Sequence, residues 1–426
     1  MNGKRGIYWG WFVVVGAFLV LSVNYGSRYC FGIFVKPMAL EYEWSRSVIS
    51  IAASINIFIY AVGGILSGRL LDRMAPKWIM TIGGVITAAA FILTGFVKTP
   101  WQFYLVYGVL CGAGMAGIGV VVSSSYVGKW FIKKRGLALG ISTIGIGFGT
   151  MVLTPLAGYV VKNYDWRTGF MFLGVVVLSI VIFIPQLIMG RAKPEDCGLL
   201  PDGEETAKAA SNLTDVSDSP SLSMMPVLTD SRFWIITTCY TFAIMAEMLA
   251  FVHQVPHALE NNIEKVAAAS SLGIIGAASI FGRFFFGWLS DRIKDAKYSA
   301  SLGFLFMAVG MLILWKMTTV EHLLLYGLIF GFGYGSLAPM MPILLADRFD
   351  RHVLGSAYGV LIFFAAGVGG GLGPIIGGMI YDKFGSYTYA WQFNLLILLI
   401  VAFLVLTLKP RAATFTYSRE TLHNNP

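Results

Sequence analysis

Of 426 residues, 57% are hydrophobic and only 12% charged, against roughly 45–50% and 25% in a water-soluble domain. That balance excludes an ordinary soluble fold. The net charge of +9 is spread over loops instead of gathered in a patch, which excludes nucleic acid and leaves a lipid bilayer as the expected surrounding.

A helix needs about 20 apolar residues to cross a bilayer core of ~30 Å. Such stretches predict helices at 8–35, 47–71, 78–97, 101–127, 134–162, 168–190, 233–255, 266–290, 297–317, 322–345, 354–381 and 387–409. The first follows Lys4 and Arg5, as a signal peptide would. It is too long for an h-region and lacks a small-residue cleavage site, so a retained span is expected. Lys and Arg alternate by loop: 21 lie on the side of the termini, 8 on the opposite side, and two, Arg28 and Arg283, inside helices. By the positive-inside rule both termini are expected in the cytoplasm, with the chain multi-pass in a cell inner membrane or plasma membrane. Cys30, Cys111, Cys197 and Cys239 are scattered, three of them in apolar spans. Neither a disulfide framework nor a zinc site is expected, and no cofactor.

After the sixth helix hydropathy collapses. Residues 191–231 hold Pro, Gly, Ser and the acids Glu195, Asp196, Asp202, Glu204 and Glu205, which no lipid-facing segment accommodates. This predicts a cytoplasmic linker, whose sequon Asn212-Leu213-Thr214 then carries no glycan. The expected organisation is a six-helix bundle over 1–190, the linker over 191–231, a second bundle over 232–410 and a cytoplasmic tail over 411–426.

The two halves repeat each other. Asp72 and Asp291 lie 219 residues apart, and the same spacing pairs Tyr107-Gly108 with Tyr326-Gly327, Gly112 with Gly331, Gly114 with Gly333, Gly136 with Gly355, Gly140 with Gly359 and Pro155 with Pro374. A repeat of six helices keeps its orientation, which implies a two-fold axis along the membrane normal and a pathway between the halves. The fold class expected is all-α, with twelve transmembrane helices in two pseudo-symmetric bundles. Glycines crowd the fourth, fifth, tenth and eleventh helices, where small residues allow close packing.

Gly68-Arg69-Leu70-Leu71-Asp72-Arg73-Met74-Ala75-Pro76-Lys77, with a second copy at Gly287-Trp288-Leu289-Ser290-Asp291-Arg292, resembles the loop 2–3 signature of the major facilitator superfamily. Trp9-Gly10-Trp11 with Val13-Val14-Val15-Gly16-Ala17-Phe18 resembles the helix 1 entry of monocarboxylate transporters, and Phe131-Ile132-Lys133-Lys134-Arg135-Gly136-Leu137-Ala138-Leu139-Gly140 resembles their helix 5 motif. Linker residues Lys193-Pro194-Glu195-Asp196 and Gly198-Leu199-Leu200-Pro201-Asp202-Gly203 are similar to bacterial members of that group and to oxalate/formate antiporters. The resemblance implies a conformational switch at Asp72, Arg73, Asp291 and Arg292, and a substrate-binding arginine at Arg283. The chain departs from animal monocarboxylate transporters where their helix 8 aspartate becomes Ser279 and their helix 1 lysine becomes Tyr29. The eleventh helix lacks the lysine of the oxalate/formate antiporters, which argues against a dicarboxylate.

Placing Arg at helix depth costs about 2.5–3.5 kcal/mol on insertion scales, so an intramembrane Arg is functional by default. Arg283 is expected about 12 Å from the inner end of its helix, where a guanidinium grips a carboxylate through two parallel hydrogen bonds. Glu247, an acid inside an apolar span, falls at about 21 Å. A low dielectric favours the protonated carboxyl, which makes Glu247 a candidate proton carrier or a counter-charge to Arg283. His253 is a candidate for a proton-linked gate and substrate contact, histidine being the side chain suited to a switch near neutral pH. His257 follows four residues on, but Pro256 is expected to interrupt the helix and no H-E-x-x-H pattern is present, so no metal is expected. Tyr25, Arg28 and Tyr29 on the first helix and Tyr334 on the tenth, at about 18 Å, are candidate cavity residues.

The function expected is secondary transport of a small organic monocarboxylate with a proton, by a monomer. Anion exchange is the alternative within transport. A non-transporting sensor would need a signalling appendage that the short linker and tail do not offer. No nucleophile–base or metal constellation marks an enzyme, and no phosphate-binding loop couples the chain to ATP.

Overall fold

In the computed structural model the described residues are 8–44, 46–71, 73–188, 190–191, 193–197, 199–203, 224–293, 295–350 and 353–409. Asp72, the middle of the linker with its sequon, and the tail lie outside them. Among the described residues no strand is present, and twelve helices are long and apolar enough to cross a membrane. In chain order these are spans 1 to 12: Trp9–Val35, Ile51–Leu71, Pro76–Thr94, Pro100–Trp130, Arg135–Asn163, Trp166–Ile188, Ser231–Glu260, Ser270–Arg292, Ala296–Trp315, Val320–Ala346, Leu354–Phe384 and Thr388–Thr407.

All twelve predicted helices are present, and their interruptions are what periodicity did not show. Span 1 turns at Cys30 and its helix runs on to Tyr42. Span 4 contains a π-helical stretch, Tyr104–Cys111, and breaks before Val120, while span 11 has its own π-helical stretch at Phe363–Gly369. Span 7 corrects one expectation: Pro256 lies inside a helix that continues to Glu260. Neighbouring spans tolerate the missing N–H in a membrane helix.

The repeat is visible in the packing. A Cβ added at Gly108 would meet Ile55, and one at Gly327 would meet Ile274; Gly112 faces Asn56 as Gly331 faces Ile275. Each partner is displaced by the same 219 residues. Contacts between the halves come in reciprocal pairs as a two-fold axis requires. Gly68 closes on the Gly355 carbonyl and Gly287 on that of Gly136, while Gly359 closes on the Gly64 carbonyl and Gly140 on that of Arg283. A glycine on at least one side of each contact lets these backbones approach closely enough to seal the seam.

That seam lies at the linker end of spans 2, 5, 8 and 11, and polar groups secure it. The Asp291 carboxylate accepts the N–H groups of Gly136 at 2.6 Å and Leu137 at 2.8 Å, capping the start of span 5 from the other half. Asp202 of the linker accepts from Ile132, Lys133 and Lys134 at 2.9, 2.7 and 3.1 Å. Arg135 reaches Asp347 across the seam at 3.8 Å, and buried Arg348 binds Asp295 at 2.6 Å.

Candidate substrate cavity

Beyond the sealed seam, toward the membrane middle, lies a cavity of about 210 Å³ between the halves. The N-terminal half contributes Tyr25, Arg28, Tyr29 and Tyr60, and the C-terminal half Glu247, Arg283, Tyr334 and Tyr358. Ile57, Ile146, Ile244, Met248, Leu337 and Met341 are among its apolar walls. An apolar pocket with a few converging polar groups is the usual form of a small-ligand site.

Arg283 is 2% exposed. Its position follows from the helix: Ser279 stands one turn earlier and accepts from Nη1 at 3.0 Å, while the Ser279 hydroxyl donates to the Gly276 carbonyl at 2.7 Å. The guanidinium carbon lies 5.5 Å from the centroid of the Tyr334 ring, close enough for a cation–π contact. Its Nε–H is buried with no hydrogen-bond partner among the described residues. Glu247, 5% exposed, lines the same cavity, where the charge of Arg283 acts on it. The ion pairs found among the described residues involve none of Arg28, Glu247 and Arg283. Arg28 rests over Tyr60 at 4.4 Å from the ring centroid, and Tyr60 shares a 3.0 Å hydroxyl contact with Tyr25.

Six sequence candidates thus converge on one cavity: Arg283, Glu247, Tyr334, Tyr29, Tyr25 and Arg28. His253 does not line it. Its Nε2 lies 2.9 Å from the Pro374 carbonyl and its Nδ1 3.3 Å from the Tyr387 hydroxyl. A carbonyl only accepts, so Nε2 holds a proton, and in the neutral ring Nδ1 accepts from Tyr387. Of the four switch candidates, Asp291 joins the halves, Arg292 lies 4.6 Å from the ring centroid of Trp288, Arg73 is exposed, and Asp72 is outside the described residues.

Sequence reasoning missed Tyr60 and Tyr358. A signal was available for Tyr60: tyrosines favour membrane interfaces, and this one falls near the middle of span 2. It also missed Asp202 and the Arg135–Asp347 contact, which join segments far apart in the chain.

Two six-helix bundles related by a two-fold axis, with a largely apolar cavity holding a few charged groups between them and contacts sealing one end, define a membrane transporter. The chain belongs to the major facilitator superfamily, whose family model matches residues 17–360 and 255–423. It is 28% identical over 408 residues to monocarboxylate transporter 12 of Mus musculus, covering 90% of this chain and 82% of that one. It is 25% identical over 388 residues to the uncharacterized MFS-type transporter YcxA of Bacillus subtilis, covering 88% and 90%. Among solved structures, the proton:xylose symporter XylE matches with a TM-score of 0.74 at 14% identity, over 94% of this chain and 96% of that one. FucP in its outward conformation matches with a TM-score of 0.69 at 16% identity, over 93% and 98%. These two likenesses concern the fold.

Proposed function

We propose that the chain is a secondary carrier of small organic monocarboxylates of the lactate or pyruvate kind, moved together with a proton by alternating access. It works as a monomer in a cell inner membrane or plasma membrane, with the linker and both termini in the cytoplasm. The observation that carries this reading is the buried Arg283 Nε–H, unpartnered in a cavity between the halves. A desolvated guanidinium with an open donor calls for an anion, and a carboxylate satisfies both charge and geometry. The names of the relatives agree with that substrate class.

In this reading the carboxylate docks on Arg283 against the Tyr334 ring, and Glu247 takes the proton. His253, one to two turns further along span 7, is the second candidate for the proton and acts from outside the cavity. The sealed linker side is one of two states, and parting of the seam formed by Asp291 and Gly136 produces the other.

The test is uptake of labelled lactate, pyruvate, formate, acetate and oxalate into vesicles containing wild type or Arg283→Ala. Net uptake of a monocarboxylate driven by acid outside, abolished in Arg283→Ala that reaches the membrane, supports the proposal. Counterflow that never gives net uptake would assign anion exchange instead. Normal carboxylate transport by Arg283→Ala would refute the site.

A further inference from the structure

Arg28 is the second guanidinium in the cavity, and one carboxylate on Arg283 leaves its charge unused. Its guanidinium carbon sits 4.4 Å from the Tyr60 ring centroid, a seat that fixes a cation without neutralising it. The seat is itself held across two spans by the 3.0 Å contact between Tyr60 and Tyr25. No hydrogen bond or ion pair to Arg28 is found among the described residues. A cation at this depth without a counter-charge is costly, and an anionic ligand removes the cost.

Arg28 belongs to the wall that the N-terminal half contributes. A Cβ added at Gly149 would meet the Ser22 carbonyl, and one at Gly369 would meet that of Thr241. Ser22 and Thr241 differ by 219 residues but Gly149 and Gly369 by 220, a one-residue slip that falls at the π-helical stretch Phe363–Gly369 of span 11. Arg28 on span 1 and Glu247 on span 7 belong to different halves and both line the cavity. Arg283 has Gly64 as its counterpart and is an additional cation on the Glu247 side. The cavity thus holds one guanidinium from each half and, among its lining residues, a single acid.

We propose that the cavity grips a substrate at both ends, one carboxylate on Arg283 and a second on Arg28, so that short dicarboxylates are bound as well as monocarboxylates. Charge balance supports this. A monoanion loaded with a proton on Glu247 leaves one guanidinium uncompensated, whereas a dianion with the same proton leaves none. Of the ionisable groups on neighbouring spans, Arg283 on span 8 acts on Glu247 through its charge, and Glu247 in turn acts on Tyr29 of span 1 and Tyr334 of span 10. The inference rests on the assignment of Arg283 as the carboxylate anchor.

The experiment is direct binding of labelled succinate and butyrate, equal in chain length, to the purified full chain in lipid nanodiscs. Wild type is expected to bind succinate at least as tightly as butyrate. Arg28→Gln is expected to lower succinate affinity about tenfold more than butyrate affinity, the scale of one lost charge-assisted contact. Tyr60→Leu removes the seat but no charge and shifts the ratio the same way, by about threefold. It decides the question if Arg28→Gln fails to reach the membrane. Malonate and glutarate, run alongside, locate the preferred spacing. A wild type that binds butyrate but not succinate, or variants with an unchanged ratio, would overturn the two-ended site and leave Arg283 intact. Butyrate binding retained by Arg283→Ala would instead remove the anchor on which both proposals depend.

Discussion

The Asp291 carboxylate on span 8 accepts the backbone N–H of Gly136 on span 5 at 2.6 Å, so a side chain of one half caps a helix of the other. A capping contact is worth about 0.5–2 kcal/mol, small enough to break and re-form in each cycle. Asp291→Asn keeps an acceptor but loses the charge. The expected result is a transport rate about two- to tenfold lower with substrate affinity changed less than about twofold, because the contact lies at the seam and outside the cavity. Initial rates across a substrate series in vesicles check this. Wild-type rates would remove Asp291 from the switch.

Gly140 tests the seam from its backbone. A Cβ there would stand 2.6 Å from the Arg283 carbonyl oxygen and 3.5 Å from the Gly287 Cα, and the first of these contacts is too short to exist. Gly140→Ala is therefore expected to prop the linker side open. Cysteine-accessibility labelling from that side should rise severalfold while the helices stay inserted. Unchanged labelling would show that the halves slide without spending the seam.

Glu247 and His253 make different predictions because only Glu247 lines the cavity. Glu247→Gln is expected to weaken acid-stimulated net uptake about tenfold while sparing exchange, which does not require proton release on the empty return. His253→Ala removes the partner of both Tyr387 and Pro374. It is expected to cost about 1–3 kcal/mol of stability, read as a lower unfolding temperature, with a smaller change in the pH profile of uptake. A wild-type pH profile in both variants would place coupling elsewhere.

Arg283→Lys separates charge from geometry. Lysine keeps the cation but replaces the planar fork with one mobile ammonium. Weak binding with poor discrimination among carboxylates is expected, at an affinity about ten- to a hundredfold below wild type. Competition by a panel of carboxylates measures it, and full selectivity in the lysine variant would show that the fork is not used.

The sequence by itself determined the membrane environment, the twelve spans, the internal repeat and the singular status of Arg28, Glu247 and Arg283. Each of these is written in local composition or in a fixed spacing: a bilayer demands apolar length, and a charge that violates it is conspicuous wherever it stands. Only the tertiary structure decided that Arg28 sits on Tyr60, that His253 is held by Pro374 and Tyr387 outside the cavity, and that Asp202 and Asp291 meet the same stretch around the start of span 5. These depend on which faces of distant helices oppose each other. Helix periodicity within a membrane-buried bundle carries little of that information, since lipid and protein interior are alike apolar and no polar face marks the outside.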